Sequence, residues 1–303
     1  MDQAPFALAQ EIFRGVTLIK VVVAVSMVVA LSLIAEHVSP RFAGMVSGYP
    51  LGAAITLFFL GLEIGPRFAA ESARHTMIGI IGTQAFAFCY YQGSLVRSGG
   101  SKVTRILVSV GAGLGAYFLV IGICQRIQTG VVVAALLSGC SIAAFNFLLR
   151  HVADATIDAK VSMSWGMLAG RALFAAAVIV LITASARLVG PVWAGLFAAF
   201  PMAMLPLCVI VHFTYRAEHV HAMIKNVPRG LGSLLLYSLA VHLTYPALGI
   251  YLGTAVAYGA ATLYLVFLGV NRRALPARPL DPIPGCEVPG TETTAKGRGA
   301  RRQ

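Results

Sequence analysis

The chain is 303 residues long, 58% hydrophobic and only 11% charged, with a mean hydropathy of +0.82. A soluble domain carries about 25% charged residues, so a soluble fold is excluded. Several apolar runs approach the ~20 residues that span a bilayer as helix, which excludes a barrel of short alternating strands. The net charge of +12 would point to nucleic acid in a soluble protein. Here the basic residues flank apolar runs or fill the tail, as membrane topology demands, and no nucleic-acid partner is expected.

In chain order, residues 1–15 read as an amphipathic lead-in containing Asp2 and Glu11. No small-residue cleavage site follows, so 16–36 is expected to be a retained helix rather than a signal peptide. Pro40 separates it from a second span, 42–62. Residues 67–75 are expected to be a polar connection to a third span, 76–94, and the Gly- and Ser-containing stretch 97–102 a loop. A fourth span, 105–125, and a short break at 126–129 lead to a fifth, 130–149. The stretch 150–160, with Asp154 and Asp158, is the most polar internal segment. Spans at 165–186 and 191–213 follow, then a His-rich basic loop at 215–229, then spans at 230–247 and 249–270 with a tight turn between them. The Pro-, Gly- and Arg-rich tail has no apolar period and is expected to be disordered and cytoplasmic. The expected fold class is all-α: a polytopic helical membrane protein of about nine transmembrane helices.

One stretch occurs twice. Residues 38–50 return as 189–201, offset by 151, with Val38/Val189, Pro40/Pro191, Ala43/Ala194, Gly44/Gly195 and Pro50/Pro201 identical. A basic residue, Lys20 or Arg171, stands 20 positions before the first proline of each copy. The chain therefore divides into the lead-in, a repeat at 16–126, a linker helix and loop at 127–160, a second repeat at 161–273 and a tail at 274–303. One linker helix between two four-helix copies inverts the second copy relative to the first, as in many secondary transporters. With nine spans, one side collects 17 of the 23 Lys and Arg; that side is expected to be cytoplasmic, with the C-terminus inside and the N-terminus outside.

Proline removes a backbone donor and frees a carbonyl one turn earlier. Inside a membrane the freed group must find a partner or line a cavity. Pro50 and Pro201 are thus either the breaks of two helices flanking a midplane site or kinks that serve packing. Arg171 lies inside its span, where a charge costs at least ~2.5–3.5 kcal/mol, and points to an anion or a buried pair. Lys20 meets an anion or snorkels to the interface. Glu63 pairs with a cation, carries a proton or marks an interfacial helix end. Gln84, Tyr90, Tyr91 and Gln92 in the third span, and Tyr237, Ser238, His242 and Tyr245 in the eighth, either join helices or line a path. Under the offset of 151, His242 answers Tyr91. The expected substrate-binding set is Lys20, Arg171, Tyr91, Tyr237 and His242; Glu63 and His242 are expected to couple protons.

Other patterns point away from catalysis. His212, His219 and His221 lack the neighbours of a zinc site, and no metal or cofactor is expected. The five cysteines include no C-x-x-C pair and read as packing residues. The glycines at 111, 113 and 115 lie in an apolar span with no preceding strand, so they suit helix packing rather than a nucleotide. No hydrolase, zinc-protease or P-loop pattern is present, and the chain is not expected to be an enzyme.

The unit of a basic residue, twenty positions, then Ala-Gly and a proline resembles the small four-helix GlpM-like membrane proteins, which carry one such copy. Lys20, Ala43, Gly44, Pro50, Glu63 and Gly65 match in the first half, and Arg171, Ala194, Gly195, Leu196, Phe200 and Pro201 in the second. The second half departs at Thr214 and Arg216, where the Glu-x-Gly of the family would stand. The resemblance implies a multi-pass protein of the inner (cytoplasmic) membrane, here as a fused tandem duplication. The function expected is secondary transport of a small or amphiphilic solute, an anion being what Lys20 and Arg171 would attract. The alternative is a non-transporting scaffold for an envelope or metabolic system. The expected partners are the bilayer and the solute, with protons a candidate coupling ion, and self-association is compatible with this reading.

Overall fold

The computed structural model describes residues 15, 18–19, 21–23, 25–26, 45, 47–96, 101–127, 129–152, 165–214 and 217–273. Most of the lead-in, Lys20, residues 38–44 of the first repeat motif, the stretch 153–164 and the tail lie outside them. Every regular element among the described residues is helical. Helical backbone at 15, 18–19, 21–23 and 25–26 is followed by α1 (Leu51–Glu63), α2 (Pro66–Leu95), α3 (Lys102–Cys124) and α4 (Val131–Leu148), the last extended by a 3-10 turn, Leu149–His151. Then come α5 (Trp165–Ala198), α6 (Met204–Thr214) and α7 (Ala217–Arg273).

Two of these elements turn sharply at glycine. Gly190 has φ 74° and divides α5 into 165–189 and 191–198; Gly249 has φ 76° and divides α7 into 217–248 and 250–273. A side chain bearing a Cβ resists that left-handed region. Pro191 opens the second part of α5 at the position where a helix needs no N–H.

Among the described residues, four helices are long and apolar enough to cross a membrane: Lys102–Cys124, Val131–His151, Leu168–Ala198 and Ala217–Leu268. Their outer faces expose large aliphatic side chains, among them Leu119, Leu136, Leu173, Leu181 and Leu263. Buried inside are Thr56, Thr76, Gln84, Ser138 and Ser233. This pattern suits a helical membrane protein, in which lipid meets the apolar faces and polar groups are satisfied within.

α2 is the hub. At 30 residues it is about 45 Å long, and it packs against α1, α3, α4, α5 and α7. Small residues allow the closest approaches: a Cβ on Gly93 would lie 2.8 Å from Ser109 Cα, and one on Gly113 2.9 Å from the Phe86 ring, as in membrane helix pairs generally. Against 217–248, α2 runs antiparallel, since Ala70 meets His242 and Ser94 meets His221.

Two segments expected to be loops are helix. Residues 67–75 form the start of α2, and 217–229 the start of α7. Their polar side chains are satisfied along the helix: Glu71 by Arg74, the Ala222 carbonyl by Asn226 Nδ2, and Asn226 Oδ1 by Arg229. Pairs three and four apart lie on one helical face, so polarity here marks internal pairing rather than a turn. The spans expected at 42–62 and 191–213 are each interrupted, at 48–50 and at 199–203.

Candidate site at two facing helix breaks

Pro50 and Pro201 are breaks. At each, the chain closes its first segment with a tight bond, Gly48 N–H to Met45 O at 3.2 Å and Ala199 N–H to Leu196 O at 3.3 Å. A three-residue turn centred on the proline follows, Leu51 N–H to Tyr49 O and Met202 N–H to Phe200 O, both 2.7 Å. Helix then resumes with Ala54 N–H on Pro50 O at 2.7 Å and Leu205 N–H on Pro201 O at 2.9 Å. Every residue number in one set differs from its counterpart by 151. The proline sits at the centre of a γ-type turn, where its missing N–H is not needed.

A carbonyl freed at each break is taken up by a hydroxyl from the other half of the chain. Thr83 Oγ1 donates to Ala199 O at 2.5 Å, and Ser233 Oγ to Gly48 O at 3.4 Å; 48 and 199 again differ by 151. Thr76 Oγ1 donates to Gly195 O at 3.0 Å. The helices that bring these hydroxyls approach through glycine. A Cβ on Gly79 would lie 2.7 Å from Ala199 Cβ, with Leu196 O at 3.0 Å; one on Gly230 would meet Met45 O and lie 3.1 Å from Gly48 Cα. Shifting the first contact by 151 gives the second.

The breaks meet on one cavity of about 30 Å³, lined by the pairs Gly48/Ala199, Tyr49/Phe200, Pro50/Pro201 and Gly52/Ala203, with Ser47, Ala198, Thr83 and Leu234. That volume holds water and nothing larger. A second, lateral pocket of about 550 Å³ lies beside α1, lined by Ile19, Val23, Phe58, Phe59, Tyr251 and Tyr258, with Glu63 and Thr254 as polar groups.

The expected site residues fall in different places. Pro50 and Pro201 are brought together. The prolines break their helices, and at the first break the backbones also pack closely, since a Cβ on Gly48 would lie 2.5 Å from Gly230 C. Tyr91 and His242 lie toward opposite ends of the α2 and 217–248 pair, away from the cavity. Tyr91 packs edge-on to His221 with centroids 4.8 Å apart, and His242 Nδ1 donates to Ala70 O at 2.8 Å. These two contacts are also related by 151, Tyr91 to His242 and Ala70 to His221. Tyr237 is fully buried beside Tyr258. Glu63 lines the lateral pocket, and its backbone carbonyl accepts from Arg187 Nη2 at 2.7 Å. Lys20 and the Arg171 side chain lie outside what is described.

Sequence reasoning missed Thr83, Ser233 and the cluster of Glu71, Arg74 and His75. The small residues at 79, 82 and 83 are a signal for the first, since small-xxx-small spacing marks close helix contact. Glu71, Arg74 and His75 stand three and four apart, a helical spacing that was hidden by reading 67–75 as a loop. They lie ahead of the 76–94 span. The Arg74 hydrogen bond holds the Glu71 carboxyl below the usual range, against partial burial. Burial, then Arg74, hold the His75 imidazole below its ordinary value, against Glu71. At the other end of α2, Tyr90 Oη lies 3.2 Å from His212 Nδ1 and Ser94 Oγ 2.7 Å from His221 Nε2. Among the described residues no group of three or more His, Cys, Asp and Glu is placed to hold a metal.

Fold and site together define a class: a helical membrane protein organised around two facing helix breaks. In comparison with family models, curated proteins and solved structures, the chain matches none.

Proposed function

We propose that the chain is a secondary transporter that moves a small or amphiphilic solute across the cytoplasmic membrane by alternating access. It crosses the membrane nine times, as two inverted repeats joined by a linker helix, and is a fused tandem form of a GlpM-like unit. The observation that carries this reading is the convergence of two equivalent proline breaks on one small cavity. Broken helices at membrane depth are the usual place for a substrate site, because their unpaired backbone ends can meet cargo and coupling ions. The inverted relation draws support from α2 and 217–248. The two run antiparallel, and their contacts Ala70–His242 and Tyr91–His221 exchange under the offset of 151.

In this reading Lys20 and Arg171 attract an anion, and Tyr91, Tyr237 and His242 meet cargo along the path. Glu63 and His242 handle protons. The contacts of His242 with Ala70, and of His221 with Tyr91 and Ser94, close one end each and are both formed here; alternating access would open them in turn.

The test does not require the cargo. In a chain freed of its five cysteines, Ser47→Cys and Thr83→Cys are exposed to a membrane-impermeant thiol reagent from one face at a time, in sealed vesicles. Alternating access predicts modification from either face. A scaffold that moves nothing predicts modification from neither, and that result overturns the transporter reading.

A further inference from the structure

Glu71, Arg74 and His75 form a cluster that the cavity does not account for. Arg74 holds the half-exposed Glu71 carboxylate through Nε at 3.0 Å and through Nη2. Its Nη1 donates to the carbonyl of Thr129, in the turn between α3 and α4. The His75 side chain is fully buried, with Nε2 3.1 Å from Arg74 Nη2 and 3.5 Å from Glu71 Oε1. A guanidinium only donates, so Nε2 is the accepting nitrogen and the proton of the neutral ring is on Nδ1. Nδ1 is buried with no hydrogen-bond partner, and so is Ser72 Oγ one turn away. Native structures rarely leave such groups unsatisfied, and each one asks for an explanation. The same turn of α2 is pressed against Gly195, whose Cβ would lie 2.8 Å from His75 Cβ.

The other charged neighbours are few. Segment 191–198 carries no titratable side chain, the turn at 125–130 carries Arg126, and 217–248 brings His242, whose charge acts on Glu71. His242 Nδ1 must be the donor to Ala70 O, which leaves its Nε2 as the basic nitrogen.

We propose that His75 is a proton-binding site, and that loading it makes His75 compete with Arg74 for Glu71. A proton from bulk water passes by way of the Glu71 carboxylate to the lone pair of His75 Nε2, where an N–H bond forms. That nitrogen can no longer accept from Arg74, so its new N–H turns to Glu71 Oε1. Two cations then share one carboxylate, and they repel at this range. The tie from Arg74 to Thr129 gives way, and the imidazolium pushes on 191–198, the segment that runs into the break at Pro201. That this proton drives transport rests on the reading above; the proton site itself does not.

The test is a pH titration of the full chain in lipid nanodiscs, with its seven histidines labelled with nitrogen-15 at the ring. One imidazole signal should be lost in His75→Gln and should become protonated only below about pH 6.5, the ordinary histidine value. Glu71→Gln, at a half-exposed position that folding tolerates, should lower its midpoint by about one pH unit, and Arg74→Gln should raise it by about as much. A signal that stays neutral to pH 4.5, that ignores Glu71→Gln, or that disappears in His242→Gln instead overturns the proposal. A titrating His75 in a protein whose cavity cysteines are reached from neither face supports the proton site and overturns the transporter reading. Cysteines reached from both faces beside a His75 that does not titrate do the reverse.

Discussion

Thr83 caps a carbonyl that Pro201 puts out of helical register, and its hydroxyl is buried with it. Thr83→Val keeps the shape and removes the donor, leaving Ala199 O unsatisfied at a cost of about 1–3 kcal/mol. A lower midpoint of thermal unfolding in detergent, restored by Thr83→Ser, is the expected result. The same scale sets a pH dependence. The folded Glu71 carboxyl is held low, so its contribution is present above the ordinary carboxylate value and is lost as pH falls through the folded one. The folded His75 imidazole is also held low, so below pH ~6.5 the unfolded chain takes up that proton first and folding weakens. Both act in one direction. The unfolding midpoint should fall between pH 7 and 5, and fall less in His75→Gln. The Glu71 carboxylate is half-exposed and screened by solvent, so the share of its pair with the more buried Arg74 is at most about 1 kcal/mol. The prolines were legible in the sequence because a missing N–H is intrinsic to the residue. Thr83 and His75 were not, because their roles depend on which backbone faces them from more than a hundred residues away, or from a helix taken for a loop.

At the scale of elements, apolar run length gave the helices, and it failed where polar residues pair within a helix. Residues 67–75 and 217–229 have the composition of loops, yet Glu71 with Arg74 and Asn226 with Arg229 satisfy one another on a continuous helix. The glycines divide into two kinds that composition cannot separate. Gly79 and Gly230 lie where helices from opposite halves touch backbone to backbone, whereas Gly111 faces open space. Gly230→Val must push the segment at 45–48 away, and overpacking of this sort costs about 1–3 kcal/mol. Gly111→Val, on the same background, should stay within about 0.5 kcal/mol. Because Gly230 and Gly79 hold equivalent contacts, Gly79→Val should match Gly230→Val in direction and size. A large difference between them would mean that the two contacts do not bear equal loads.

At the scale of the whole molecule, cross-chain contacts sort the residues by end of the bundle. Glu63 with Arg187, Ala70 with His242 and Arg74 with Thr129 lie at one end; Tyr90 with His212 and Ser94 with His221 lie at the other. On the proposed nine-span topology, the count of Lys and Arg would put the first end outside and the second in the cytoplasm. The proposed inverted duplication needs that arrangement, because its equivalent helices must cross in opposite senses. Reporter fusions decide it. Fusions at Gly99 and at Asp154 should both report the cytoplasm, and one at Arg67 the periplasm. If Arg67 and Gly99 report the same side, α2 does not cross the membrane. The antiparallel pairing of α2 with 217–248 would then no longer relate two inverted copies, and the facing proline breaks would lose their place at membrane depth.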